Sequence, residues 1–269
     1  MRSLSKDIPS VFDRNLQSKK LVFLDMDGTI YLGNNLIPGT KKFLAYLNNK
    51  DVNYYFLTNN SSCSKKDYVK KLSNLGLAAR EDQIILSTDG VIEFLLEKNI
   101  KEVYVVGTRS MKEEFIKSGI DVKSKSPAYV ILGFDTELTY EKLKTAAFFL
   151  LNGVDLIATH PDLVCPTPEG PIPDAGSMLA LFEKSTKKKP VKIFGKPNAD
   201  MVNHIIKKHR VSPEEVVFIG DRIYTDMELA HRINCDFILV LSGETKKEDI
   251  EDLSEEPSLI VDDIGCILG

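Results

Sequence analysis

The chain alternates short unbroken apolar runs with longer segments in which apolar residues recur every three or four positions. The runs at 21–24, 84–86, 103–106, 129–134, 155–159, 191–194, 216–219, 237–241 and 259–261 read as strands, as does the Tyr-, Val- and Phe-rich stretch 51–57. Residues 21–24 lack polar alternation, the pattern of a strand buried on both faces of a parallel sheet. Between the runs, Phe43, Leu44 and Leu47 share a helical face after Pro38 and Gly39. Tyr68, Val69, Leu72 and Leu75 share another, which Gly76 closes. Thr88 is placed to cap a helix carrying Val91, Ile92 and Leu95, and Asn198 one carrying Met201, Val202, Ile205 and Ile206. Further helices are expected over 111–117, over 138–151 with Thr139 at its start, and over 177–185. The first twenty residues read as a lead-in whose Phe12 and Leu16 dock on the body. Such alternation throughout predicts an α/β fold with parallel sheets covered by helices on both faces.

Four runs stop at polar knots: Asp25 and Asp27 with Gly28 and Thr29; Thr58, Asn59, Asn60 and Ser61; Gly195, Lys196 and Pro197; and Gly220, Asp221 and Arg222 with Asp226 a turn later. In open α/β sheets ligands gather at the carboxyl ends of strands. Each knot has an ordinary reading too. Asp-Gly is a common turn, Thr58 could cap the next helix, Lys196 could be a solvated lysine, and Asp226 could be a first-turn charge. A calcium loop of the EF-hand kind fails, because the glycine comes too early and the flank is strand-like. If the four strands are neighbours, the knots meet above one sheet edge. The carboxylates then invite a hard divalent cation such as Mg²⁺, and the hydroxyl, amides and lysine offer donors to phosphoryl oxygens. That combination suits phosphoryl transfer, whose catalysis is mostly positioning and charge neutralisation.

Composition narrows the setting. A chain of 269 residues is long enough for more than one domain. A net charge of −4 with interspersed lysines and glutamates gives no nucleic-acid or membrane surface. Cys63, Cys165, Cys235 and Cys266 form no CxxC pair, which argues against a structural zinc site or disulfide framework and suits a reducing compartment. The polar first twenty residues hold no signal-peptide core, and no apolar run is long enough to span a bilayer. A soluble cytoplasmic protein is the expectation.

The DMDGT, LTNNS, GKP and GDR–TD turns resemble, in order, the four motifs of the haloacid dehalogenase (HAD) superfamily. YLGNNLIPGT, FLTNNSS, VILGFD, ATHPD and EGPIPDAGS are similar to its NagD-type branch, which includes p-nitrophenyl-phosphatase-like and sugar-phosphatase members; the likeness covers nearly everything after Lys20. The resemblance implies a doubly wound, Rossmann-like core (1–87 and 185–269) and an inserted α/β cap (88–184) that closes over the site. It implies that Asp25 is the nucleophile, forming an aspartyl-phosphate. Asp27 protonates the leaving oxygen and then activates water. Mg²⁺ sits on the carboxylates of Asp25 and Asp221 and the main-chain carbonyl of Asp27. Thr58 and the amide of Asn59 hold phosphoryl oxygens, Lys196 neutralises nucleophile and phosphate, and Asp226 orients Lys196 or a metal-bound water.

Within the expected cap, residues 160–176 hold Pro161, Pro166, Pro168, Pro171 and Pro173, which makes the loop stiff. It is either a rigid specificity loop or a domain connector. His160, Asp162, Glu169 and Asp174 are its candidates for reading the leaving group, with bonding inside the loop weighed against substrate contact for His160. Tyr31 and Arg222 stand beside the catalytic turns as candidates for the pocket floor. The expected substrate is a small phosphate ester, such as a sugar phosphate, a nucleoside monophosphate or p-nitrophenyl phosphate, acted on by a monomer or a homodimer. A phosphomutase of the same superfamily stays open as an alternative. So does a non-enzymatic phosphoacceptor module, for which Asp27 and a cap are excess equipment.

Overall fold

The structure, a computed structural model, describes Leu16, residues 18–167, 169–250, Leu253 and residues 255–268. Phe12 and Pro168, which figured in the expectations above, lie outside the described residues. In chain order the strands are β1 Leu21–Asp25, β2 Tyr31–Leu32, β3 Asn35–Leu36, β4 Asn53–Thr58, β5 Ile84–Leu86, β6 Val103–Val106 and β7 Tyr129–Leu132. They continue with β8 Asp155–Ala158, β9 Val164–Cys165, β10 Ile172–Pro173, β11 Pro190–Ile193, β12 Val216–Gly220, β13 Asp236–Val240 and β14 Leu259–Val261. A six-stranded sheet runs β14-β13-β12-β1-β4-β5, and a four-stranded sheet runs β11-β8-β7-β6. By contacts the chain divides within β4 into two compact units, Met1–Phe56 with Ile205–Gly269, and Leu57–His204.

In the first unit β1 pairs in parallel with β12, β12 with β13 and β13 with β14. All five residues of β1 and all five of β12 are buried, as the absence of alternation required. Phe23, Phe218 and Phe237 stack across neighbouring strands with centroids 6.2 Å apart. Each such side chain, fully removed from water, contributes roughly 1.5–3 kcal/mol. The register sets Leu24 opposite Ile219, so Asp25 leaves the sheet level with Gly220 and one residue before Asp221.

In the second unit β6, β7, β8 and β11 are all parallel. Val105, Met111, Phe115 and Ile131 build one apolar cluster against this sheet, and Val130, Leu132, Leu150 and Phe182 another. Thr108 caps helix Arg109–Lys117 and Thr139 caps helix Tyr140–Leu151, each hydroxyl accepting the N–H three residues on.

Two local expectations need correction. Thr88 caps nothing: helix Ser87–Glu97 begins one residue earlier, and the Asp89 carboxylate accepts the Leu86 N–H at 3.0 Å. The Thr88 hydroxyl lies inside the first turn, buried and without a hydrogen-bond partner. The proline-rich loop also contains the short antiparallel pair β9–β10, where Pro173 sits opposite Val164. A two-stranded ribbon is all edge, so it tolerates prolines that a central strand would not. Among the described residues no helix is long and apolar enough to cross a membrane.

Candidate active site

In the first unit, Asp25 ends β1 and the chain turns at once. Ile30 donates to the Met26 carbonyl and Gly28 to that of Tyr31, both at 2.8 Å, with Gly28 at φ +91°, a conformation costly for any residue with a Cβ. The turn brings the Tyr31 hydroxyl to Asp27, where it donates to Oδ2 at 3.0 Å. On the neighbouring strand, Gly220 and Asp221 lead into a π-helical turn, Ile223–Met227, that folds Asp226 back toward the strand end. There Asp226 Oδ2 accepts the Arg222 N–H at 3.1 Å, and a Cβ on Gly220 would stand only 2.5 Å from the same oxygen. Asp226 is fully buried, which sets aside its reading as a solvated first-turn charge.

Asp25, Asp221 and Asp226 are all buried, and each offers an oxygen within 4.8 Å of the others. Burial, then the charges of Asp25 and Asp226, push the Asp221 carboxyl well above its usual range. One of its oxygens, Oδ2, accepts the Glu244 N–H at 2.6 Å, while the buried Oδ1 has no hydrogen-bond partner. Burial works to lower the affinity of the Arg222 guanidinium for its proton. The carboxylates of Asp25, Glu244, Asp221 and Asp226 more than offset it, and Arg222 is held charged. Three crowded carboxylates, with Asp221 Oδ1 lacking a hydrogen-bond partner, fit a hard divalent cation, which Mg²⁺ satisfies through oxygen ligands. The Asp27 side chain stands outside this set, bonded to Tyr31, and Asp226 stands inside it.

In the second unit, Thr58 ends β4, buried, and its hydroxyl accepts the Asn60 N–H at 3.1 Å. It does not cap the following helix, Lys65–Asn74, because Ser64 and Asp67 do so through a reciprocal pair of bonds. The Asn59 carboxamide grips the backbone of Lys196: Oδ1 accepts the Lys196 N–H at 2.6 Å and Nδ2 donates to the Lys196 carbonyl at 3.0 Å. Nδ2 also donates to Asp162 at 3.1 Å. Gly195 is at φ +72°, and a Cβ there would stand 2.7 Å from Asn59 Oδ1. Lys196 is buried, so it is not a solvated lysine.

His160 is fully buried, with Nδ1 2.8 Å from the Thr159 hydroxyl and Nε2 2.8 Å from Asp174 Oδ1. The same Asp174 oxygen accepts the Ala175 N–H at 2.5 Å and caps helix Ala175–Thr186. Glu169 is exposed. The expected site residues therefore gather in two sets. Asp25 and Asp221 lie with Asp226 in the first unit, and Thr58, Asn59 and Lys196 lie with the proline-rich loop's Asp162 in the second.

Three features escaped the sequence. Tyr31 reaches Asp27 because the two-residue ribbon β2–β3 fixes its direction, and a buried Tyr needs a partner for its hydroxyl. Ser61 accepts from the Phe134 N–H at 2.9 Å and the Thr159 hydroxyl at 3.1 Å, a tertiary bond with no local signal. The Ser-Gly-Glu-Thr stretch 242–245, whose Glu244 amide holds Asp221, reads in sequence only as a loop after a strand.

Comparison with known proteins gives a consistent picture. Residues 22–121 match the family model described as haloacid dehalogenase-like hydrolase, and residues 193–266 one described as HAD-hydrolase-like. An acid sugar phosphatase of Staphylococcus saprophyticus is 31% identical over 94% of this chain and 98% of its own length. The crystal structure of a 4-nitrophenylphosphatase from Thermotoga maritima superposes with a TM-score of 0.89 at 42% identity, covering 93% of this chain and 97% of that one. NagD from E. coli superposes with a TM-score of 0.84 at 29% identity, covering 92% and 97%.

Proposed function

The chain belongs to the haloacid dehalogenase-like hydrolases, as a phosphatase of their NagD-type branch, and we propose that it is a Mg²⁺-dependent phosphomonoesterase working through an aspartyl-phosphate. The observation that carries the metal dependence is the buried Asp25–Asp221–Asp226 cluster, in which Asp221 keeps an oxygen without a hydrogen-bond partner. When bound by Asp25, Asp221 and the Asp27 carbonyl, Mg²⁺ supplies the positive charge that lets a carboxylate approach an anionic phosphate.

The residues then divide the work. Thr58, the Asn59 amide and Lys196 hold the phosphoryl oxygens, and Lys196 offsets the charge of both reactants. Asp25 attacks phosphorus, forming an acyl-phosphate bond as the ester P–O bond breaks, and Asp27 gives its proton to the departing alkoxide. Asp27, now ionised and held by the Tyr31 hydroxyl, takes a proton from water as that water attacks phosphorus. The Asp25–phosphorus bond breaks and inorganic phosphate leaves. Asp226 orients the groups around it through its bond to the Arg222 amide.

Residues 88–184 act as the inserted cap. In it Asp162 and Glu169 read the leaving group, while His160 and Asp174 shape the loop that carries them. The substrates are small phosphate esters. The relatives that are an acid sugar phosphatase and a 4-nitrophenylphosphatase support this class. The test is a panel of sugar phosphates, nucleoside monophosphates and p-nitrophenyl phosphate, assayed for phosphate release with Mg²⁺ and with EDTA. Metal-independent release, or release from none of the panel, would overturn the proposal.

A further inference from the structure

The loop 242–245, just beyond β13, takes no part in the reaction described above, yet it is tied to the acidic cluster throughout. The Glu244 N–H donates to Asp221 Oδ2 at 2.6 Å, and the Thr245 N–H to the Asp221 main-chain carbonyl at 3.2 Å. The Ser242 hydroxyl donates to the Gly28 carbonyl at 2.6 Å. A Cβ on Gly243 would fall on the Asp221 carboxylate, and one on Gly28 would stand 2.5 Å from the same Oδ2 and 3.0 Å from Gly243 Cα. Oδ2 is therefore walled between two glycines and bonded to an amide. Oδ1, equally buried, has no hydrogen-bond partner.

That asymmetry bears on the choice of metal. Mg²⁺ demands near-ideal octahedral geometry from its oxygen ligands, whereas Ca²⁺ readily takes both oxygens of a carboxylate in a looser, larger shell. With Oδ2 bonded to an amide and enclosed by Gly28 and Gly243, Oδ1 is the oxygen open to a metal. Partners that orient a metal's ligands in this way are typically worth about 10–100-fold in metal affinity.

We propose that residues 242–245 are a positioning clamp that makes Asp221 a single-oxygen ligand, so that the site selects Mg²⁺ over Ca²⁺. In this arrangement the Glu244 amide and Gly243 fix the carboxylate, and Ser242 holds the Asp27–Gly28 turn in register with it. The inference rests on the reading that Asp25 and Asp221 hold a divalent cation.

Isothermal titration calorimetry of the full chain with Mg²⁺ alone and Ca²⁺ alone separates the two. The wild type should bind Mg²⁺ more tightly than Ca²⁺, and Asp221→Asn should bind neither. Gly243→Ala should weaken Mg²⁺ by about 10–100-fold and Ca²⁺ much less, so the ratio of the two affinities collapses. Ser242→Ala, which removes a single hydroxyl, should weaken Mg²⁺ by severalfold in the same direction and decides the matter if Gly243→Ala does not fold. A wild type that binds no divalent cation, or an Asp221→Asn variant that binds as well as it does, overturns the metal reading and the clamp with it. Loss in Asp221→Asn, with wild-type affinities and selectivity in the clamp variants, overturns the clamp alone.

Discussion

Replacing Asp221 with Asn removes one charge from the acidic cluster while keeping the side chain's size. Two unit charges 4.8 Å apart, the outer limit of the spacing here, repel by about 3 kcal/mol at an effective dielectric constant of about 20. Asp221 faces two such neighbours, Asp25 and Asp226. Without metal the folded protein relieves part of this by protonating Asp221, whose affinity for a proton is raised first by burial and then by those two charges. The folded state thus holds this proton more tightly than the unfolded chain. The associated stability is full below the ordinary carboxyl value of 3.8 and is lost as pH rises through the raised one. At neutral pH in EDTA, Asp221→Asn should therefore be more stable than the wild type, by on the order of 1–3 kcal/mol. That corresponds to roughly 2–10 °C in Tm for a chain of this size. The difference should open as pH is raised from the ordinary carboxyl value of 3.8 toward and through the raised one. Thermal melts across that range, in EDTA and in Mg²⁺, read it out. Mg²⁺ should raise the wild-type Tm and leave the variant unmoved. A variant less stable than the wild type in EDTA, or equally stabilised by Mg²⁺, would refute the idea that these carboxylates are strained for want of a cation.

Other expectations follow from single contacts. Tyr31→Phe removes the hydroxyl that holds Asp27, and kcat should fall roughly fivefold, for about 1 kcal/mol of lost orientation; an unchanged kcat would mean the bond does not serve the proton transfer. Asn59→Ala strips the Lys196 N–H and carbonyl of their side-chain partner. It should cost about 1–3 kcal/mol of stability in chemical denaturation and lower kcat/KM, and full activity would detach Lys196 from the mechanism. Burial pushes the Cys235 thiol up to about 12. Iodoacetamide at mildly alkaline pH should therefore spare it in the folded protein, and rapid native-state alkylation would contradict its burial.

How much of this was legible in the residues depends on range. β1 and β12 announce themselves because both faces are buried and the runs are unbroken. The acidic residues follow those runs directly, so a strand's end and its chemistry are read together. The helix start at Thr139, with its local hydroxyl cap, is written in the chain, whereas the start at Thr108 lies before the first apolar residue of its helix, Met111, and so before the periodic pattern begins. The helix at Ser87 misleads because its cap comes from Asp89 reaching backward, which makes the neighbouring Thr88 look like the cap. Contacts across long sequence separation leave no local trace. Neither the Glu244 amide on Asp221 nor the Asn59 side chain on Lys196, 137 residues away, has a period or spacing to betray it. The π-helical turn that brings the Asp226 carboxylate beside Asp25 and Asp221 has no local signal either.

The central claim is that Asp25 carries the phosphoryl group between ester and water. The most direct measurement is mass spectrometry of acid-quenched Asp27→Asn enzyme mixed with p-nitrophenyl phosphate and Mg²⁺. One phosphoryl group should appear on the peptide bearing Asp25 and be absent from the Asp25→Asn variant, which should release no phosphate. A phosphoryl group found on another residue, or an Asp25→Asn variant that turns over like the wild type, would contradict it.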